Sequence, residues 1–255
     1  YWVEVIPLRA SQLCWTTALD VLEHRRCSGE GSLGLMNTTY EKLCNLCWSG
    51  LLQGFSIQIE KHYLSTFFTT DWLSNEHLDL FLDLTRTEIA SSPLRDTILL
   101  PNESALFIPK IQQAYLRQDQ YPTTEFRWLH RIATKLTTGT QTLLGTFANI
   151  NGNHWVTIVI DTERKVIFHG NSMGDSIDRQ LSVVLQWWTS HHFGVRFRIS
   201  CMSIARQNDS HSCGMLAWGA LEHCLLNKPD RLMEGQDMRD CRLEVFLRVI
   251  NQHNS

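Results

Sequence analysis

Between Thr140 and Ser172 the chain changes from helical to strand-like spacing, and this change constrains the fold more than any other feature. Leu143 to Ile150 reads as one strand and His154 to Ile160 as a second, separated by Asn151-Gly152, a pair suited to the positive φ of a tight hairpin turn. Val166 to Phe168 supplies a third strand. A second turn centred on Thr162-Glu163 makes His154 face Asn171, with Cβ atoms roughly 4.5–5.5 Å apart. An error of one or two residues there changes the register but not the neighbourhood.

Helical patterns lie on both sides. Residues 10 to 25 form a helix of mixed character, and the Gly29-Glu30-Gly31-Ser32-Leu33-Gly34 stretch is a flexible loop. Tyr40, Leu43, Cys44, Cys47 and Leu51 then fall on one helical face. Trp72-Leu73-Ser74-Asn75-Glu76 reads as a helix start, with Ser74 or Asn75 as the cap and Leu78, Phe81 and Leu82 as the buried face. Pro93 and Pro101 interrupt the pattern. Further helices are expected over Phe126 to Leu136, Gly214 to Leu226 and Arg239 to Ile250. Helices, then strands, then helices imply an α+β fold.

A chain of 255 residues that is 43% hydrophobic and 19% charged buries a proper core. Its formal net charge of -3 argues against electrostatic capture by nucleic acid or an anionic membrane, leaving a protein or small-molecule substrate. The apolar run Val156 to Ile160 is too short to cross a bilayer. Beginning Tyr1-Trp2 without methionine, the sequence reads as part of something longer. The eight cysteines are expected as free thiols, and a glycan on the sequon Asn208-Asp209-Ser210 would smother any chemistry at Cys213; both point to nucleus or cytoplasm. Cys44-x-x-Cys47 lacks the two further ligands of a zinc site, so both cysteines are expected in the core, with no metal or cofactor. Cys201, Cys224 and Cys241 read as buried thiols, Trp187-Trp188 as core or partner packing, and His191, His192 and His211 as solvated.

Cys213 stands between the polar stretch Gln207-Asn208-Asp209-Ser210-His211-Ser212 and an apolar run, Met215 to Trp218. A free cysteine usually packs as a small hydrophobe. At a helix start capped by Ser210 or Ser212, however, free N–H groups and the helix dipole favour the thiolate and can bind an oxyanion. His154 is then the candidate base, with Asn171 as the partner that orients its ring.

His154-Trp155, Asn171-Ser172, and the order Gln207, Asp209, Cys213-Gly214 together resemble the ubiquitin-like-protein protease family, the SUMO-specific cysteine proteases of the adenain-related clan. Trp72-Leu73-Ser74-Asn75 and Gln236-Asp237-Met238 resemble further motifs of that family, and the resemblance covers Lys61 to Ile250. It implies a papain-like, adenain-like fold with a central, mostly antiparallel sheet flanked by helices. Residues 61–255 would be the catalytic domain and residues 1–60 a mostly helical extension of unknown role. It also implies that Cys213 attacks the carbonyl carbon, His154 moves the proton, Asn171 orients the ring, and Gln207 donates to the oxyanion. Trp72 and Trp155 would flank a slot for the Gly-Gly tail of SUMO, ubiquitin or another ubiquitin-like protein. Asp209 is expected as structural support for the loop before Cys213. The family usually carries aspartate at the Asn171 position, so a less persistent thiolate–imidazolium pair is expected; a Cys-His-Asn arrangement nonetheless works in papain-like enzymes. An inactive modifier-binding module and a Cys-His acetyltransferase are the alternatives. Retention of Cys213, His154 and Gln207 speaks against the first, and the two tryptophans speak against the second.

Overall fold

A computed structural model describes residues 2–102 and 104–254; Tyr1, Glu103 and Ser255 lie outside the described residues. The chain forms two compact units, one of residues 1–80 with 233–255 and one of residues 81–232.

The second unit is built on a five-stranded sheet in the order β1 (Ile98–Leu99), β2 (Leu143–Ile150), β3 (His154–Asp161), β4 (Val166–Gly170) and β5 (Arg198–Cys201). The three central strands run antiparallel, and the two edge strands pair in parallel with β2 and β4. The sheet is therefore mixed, antiparallel in the middle as expected. Neither two- to four-residue edge strand carries enough alternation to be read from sequence.

Asn151 and Gly152 adopt φ of 55° and 76°, the positive values of a type I′ turn, and Asn153 N–H closes it on the Ile150 carbonyl at 3.2 Å. The β3–β4 register differs from the expected one. Thr157 pairs with Gly170 rather than Phe168, a displacement of two residues, because the turn lies later than Thr162-Glu163. Since side chains alternate with period two, the shift leaves every side chain on its expected face.

Both faces of the sheet are covered. Leu144, Ala148, Val156, Ile158 and Ile160 point to a core shared with Phe107 and Ile111 of α4 (Ser104–Leu116), Leu129 and Ile132 of α5 (Arg127–Thr137), and Leu185 and Trp188 of α6 (Arg179–Phe193). The opposite face carries Gly145, Phe147, Trp155, Thr157 and Val159 and receives α7 (Cys213–Leu226), which is buried from Cys213 to Glu222. A Cβ on Gly145 would come within 2.8 Å of Leu221 and Leu225, so glycine is what lets α7 lie this close to β2. Thr157 Oγ1 donates to the Ala217 carbonyl at 2.5 Å inside this seam. Trp218 stacks on Phe81 and donates to Thr85 Oγ1 at 2.9 Å, while the buried Glu222 carboxylate accepts from Thr85 and faces Arg231 at 3.5 Å. Phe81 and Thr85 belong to the part of α3 (Asn75–Ala90) that lies in this unit.

His191 and His192 sit in the last turn of α6 rather than in a polar loop. His192 is not a solvated residue. Its Nε2 lies in hydrogen-bond contact with the Tyr121 hydroxyl at 2.7 Å, and Trp188 Nε1 donates to the same hydroxyl at 3.0 Å. Trp188 is fully buried in this cluster, as expected of a core tryptophan, and Trp187 packs against its edge. Cys241 is buried and Cys224 partly so. Cys201 is exposed, contrary to expectation, because it ends the edge strand. All eight cysteines are free thiols.

In the first unit α1 (Trp2–Ser28) extends well beyond the expected 10–25, and α2 (Leu33–Asn45) follows the glycine loop. The helix expected to carry Cys44 and Cys47 ends before Cys47, since Leu46 turns to extended backbone, φ -82° and ψ 125°. α2 buries Met36 and Thr39, and both cysteines are exposed rather than in the core. α8 (Met238–His253) supplies Arg242, which is fully buried and donates to the carbonyls of Thr66, Thr69 and Asp71 at 2.7–3.1 Å. Arg25 pairs with Asp240 at 2.6 Å, and Phe68 meets Phe246 edge to face at 4.9 Å. At the start of α3, the Ser74 N–H donates to His77 Nδ1 at 3.1 Å, a side chain reaching back over the first turn as in a capping box.

Burial holds His77, His169 and His192 at a pKa of about 4, below the ordinary 6.5. The unfolded chain therefore binds more protons than the folded one between those values, and stability falls as pH drops from 6.5 toward 4. Thermal melts at pH 7.5, 6 and 5 should show a falling Tm, with a smaller fall in His192→Gln. A Tm independent of pH over this range contradicts the assignment.

Candidate active site

The sequence-predicted residues of the second unit come from three places in the chain. His154 and Trp155 open β3, Asn171 and Ser172 follow the last residue of β4, and the loop from Gln207 leads into α7 at Cys213. The Thr157–Ala217 hydrogen bond lies three residues beyond His154 and four beyond Cys213, which fixes the start of the helix against the start of the strand.

The histidine and asparagine are joined directly. His154 Nε2 lies 2.8 Å from Asn171 Oδ1, which also accepts the Met173 N–H at 2.9 Å. The second contact identifies Oδ1 as the carbonyl oxygen, since a backbone N–H needs an acceptor. Nε2 therefore carries the ring proton in the neutral histidine, and Nδ1 keeps the lone pair of a base. The β3–β4 register differs by two residues from the expected one, yet the pair meets, because the chain beyond Gly170 leaves the ladder and turns at Asn171 to Gly174.

Cys213 is buried, 5% exposed, at the first residue of α7. Burial pushes its thiol up from the usual range, while the N–H groups of Trp155, Gly214 and Cys213 itself act in the opposite direction by hydrogen-bonding the sulfur. The Trp155 contact places the sulfur beside the residue that follows His154. Neither serine caps the helix as expected: Ser212 makes no side-chain capping bond. Asp209 instead holds the loop that precedes the helix. Its Oδ1 accepts the N–H groups of His211 and Ser212, both at 2.8 Å, and its Oδ2 accepts the Ser212 hydroxyl at 2.5 Å. Partial burial opposes ionisation of Asp209, but these donors outweigh it and hold the carboxyl below its usual pKa. The polar loop satisfies its own groups, and the first N–H groups of α7 remain directed at the sulfur.

The Gln207 side chain lies in the same loop. Its Oε1 accepts from the Ser172 hydroxyl at 2.9 Å, its Nε2 approaches Asp209 Oδ1 at 3.4 Å, and its backbone N–H donates to the Ser172 carbonyl at 3.0 Å. Nothing in the residue type of Ser172, beside Asn171 in the sequence, reveals a role of its own. His169 was not singled out either. It is 3% exposed, and after burial the neighbouring His154 is the further influence lowering its pKa.

Trp155 is buried at the head of β3. Trp72 belongs to the other unit, where it is 54% exposed and the Asp71 carbonyl before it is held by Arg242. A cleft of about 670 Å³ lies at the far end of α7, lined by Asp161, Arg164, Cys201, His223 and Cys224, and contains none of His154, Asn171, Gln207 and Cys213. Among the described residues no cluster of His, Cys, Asp and Glu is arranged to hold a metal, and no helix is long and apolar enough to cross a membrane.

The family model of the Ulp1 protease family, C-terminal catalytic domain, matches residues 71–253. Among solved structures, the SUMO protease Ulp1 with its catalytic cysteine oxidised to a sulfenic acid shares the fold with a TM-score of 0.64 at 16% identity, over 88% of this chain and 96% of that one. The C-terminal Ulp1 protease domain in complex with Smt3, the yeast ortholog of SUMO, gives 0.63 at 17% identity over 85% and 93%. The catalytic domain of the Chaetomium thermophilum Ulp1-like SUMO protease gives 0.51 at 15% identity over 81% and 76%. At these identities the likeness is one of fold. A sequence comparison with curated proteins finds no match.

The role of Asp209 as the loop's acceptor has a measurable consequence. Asp209→Ala strands two N–H donors and a hydroxyl, and by analogy with the loss of a helix cap it should lower unfolding stability by about 1–2 kcal/mol in urea titration. Asp209→Asn, which keeps an acceptor oxygen, should lose less. Equal losses contradict the assignment.

Proposed function

The chain belongs to the Ulp1 protease family and is a cysteine protease, and from that premise we propose that it cleaves after the C-terminal Gly-Gly of a ubiquitin-like modifier with a Cys213-His154-Asn171 triad. The observation that carries this reading is the 2.8 Å bond from His154 Nε2 to Asn171, which leaves Nδ1 as the base, together with a thiol held by N–H groups at the start of α7.

The steps follow from those atoms. Nδ1 of His154 takes the Cys213 proton as the sulfur attacks the carbonyl carbon of the scissile bond. The carbonyl oxygen becomes an oxyanion and is met by the Cys213 backbone N–H and the Gln207 carboxamide. The C–N bond then breaks, the imidazolium gives its proton to the departing amine, and the modifier remains as a thioester on Cys213. Water attacks the thioester carbon, losing a proton to His154; the C–S bond breaks and the sulfur regains its proton. Asn171 keeps the ring in one orientation throughout, without the formal charge of an aspartate.

The Gly-Gly tail suits a slot bounded by aromatic rings because glycine has no Cβ to clash. Trp155 and Trp72 are the proposed substrate-binding side chains. SUMO is the first modifier to test, since solved structures that share this fold are SUMO proteases, one of them in complex with Smt3. Ubiquitin and other ubiquitin-like proteins follow, and residues 1–60 are proposed as a mostly helical N-terminal extension of the catalytic domain.

Mixing the protein with SUMO, ubiquitin and other modifiers, each carrying a cysteine-reactive group at its C-terminus, and reading intact mass tests the proposal. An adduct with at least one modifier is expected, lost in Cys213→Ala and retained when Cys201, Cys224 or Cys241 is changed. An adduct that survives Cys213→Ala, or none with any modifier from folded protein, overturns it.

A further inference from the structure

The orientation of a glutamine carboxamide decides whether it helps or opposes an oxyanion, because one end donates and the other carries a partial negative charge. In this protein that orientation is determined from both ends. Ser172, 0% exposed, donates its hydroxyl to Gln207 Oε1 at 2.9 Å, and Asp209 Oδ1 lies 3.4 Å from Gln207 Nε2. Turning the amide over would set Oε1 against the Asp209 oxygen, acceptor against acceptor. The Ser172 carbonyl also receives the Gln207 N–H at 3.0 Å, so backbone and side chain of the same serine hold the same glutamine. Asp209 is itself immobilised by three donors from His211 and Ser212.

We propose that Ser172 is a positioning residue for the oxyanion site: by occupying Oε1 of Gln207 it keeps the carboxamide nitrogen available to donate to the transition-state oxygen. Ser172 touches neither the sulfur nor the substrate in this account. The inference rests on the assignment of Gln207 given above. It also explains why a serine with no room for chemistry of its own sits next to Asn171. The two residues just beyond β4 thus serve both halves of the reaction, Asn171 holding the base and Ser172 holding the oxyanion donor.

The test is a double-mutant cycle of Ser172→Ala, Gln207→Ala and both together, with turnover read on SUMO and ubiquitin carrying a C-terminal coumarylamide. Gln207→Ala should lower kcat on the order of 10²–10³-fold. Ser172→Ala should lower kcat about three- to tenfold, the value of one neutral hydrogen bond, with KM unchanged. In the Gln207→Ala background the serine change should add nothing, because there is no carboxamide left to orient. Alkylation of Cys213 by iodoacetamide, a displacement that forms no oxyanion, should be the same in Ser172→Ala as in the unmodified protein.

Equal losses from Ser172→Ala in both backgrounds, or a fall in alkylation matching the fall in turnover, identify a general structural role and overturn the proposal. Full activity of Ser172→Ala alongside a crippled Gln207→Ala overturns it while leaving the oxyanion assignment intact. Full activity of Gln207→Ala removes that assignment and this inference with it. Absence of turnover by the unmodified protein on either substrate overturns the functional reading itself.

Discussion

The hydrogen bond from Thr157 Oγ1 to the Ala217 carbonyl, buried between the central strand and α7, is the contact on which the site depends. A hydroxyl in that seam leaves the helix little freedom to slide along β3, because the lost bond would strand a polar group in the core. Gly145 allows the same approach over β2, where a methyl group would collide with Leu221 and Leu225. The thiol at the head of the helix and the histidine at the head of the strand are therefore carried by two elements locked against each other.

Local polar contacts complete what packing begins. Asp209 gathers the N–H groups of His211 and Ser212 in the loop before Cys213, and the N–H groups of Cys213 and Gly214 stay turned to the sulfur. Burial raises the pKa of the thiol, and Asn171 gives the imidazolium no formal counter-charge. On the proposed mechanism, both effects favour a neutral thiol at rest, which gives up its proton only as the substrate arrives. Charge separation in that mechanism is then brief and is met by the N–H groups at the helix start and by the Gln207 carboxamide.

The parts of this molecule that were legible in its sequence are those with a repeating signal. The central strands, the Asn151-Gly152 turn and α5, α7 and α8 all announce themselves by period and by turn chemistry. The edge strands are too short to do so. Cys44 and Cys47 fit a helical face on paper, yet α2 ends at Asn45 and leaves both exposed. His192 resembled a solvated histidine because the residue beside it is also histidine; its partner, Tyr121, is seventy-one positions away. The same limit applies at the candidate site: His154, Asn171, Gln207 and Cys213 are proposed from motif order, whereas the role proposed for Ser172 depends on which end of an amide it touches. A register two residues from the expected one did not separate His154 from Asn171, because the asparagine lies just beyond the ladder and reaches back.

The most direct test of the account is the pH dependence of Cys213 alkylation by iodoacetamide in the unmodified protein, His154→Gln and Asn171→Asp, followed by peptide mass. The account predicts that His154→Gln slows the reaction near neutral pH and leaves only a rise at high pH, above the ordinary thiol range. Asn171→Asp, by placing a negative charge beside the imidazolium, should speed the reaction near neutral pH. Three superimposable profiles would show that neither His154 nor its partner acts on the sulfur, and would contradict the account.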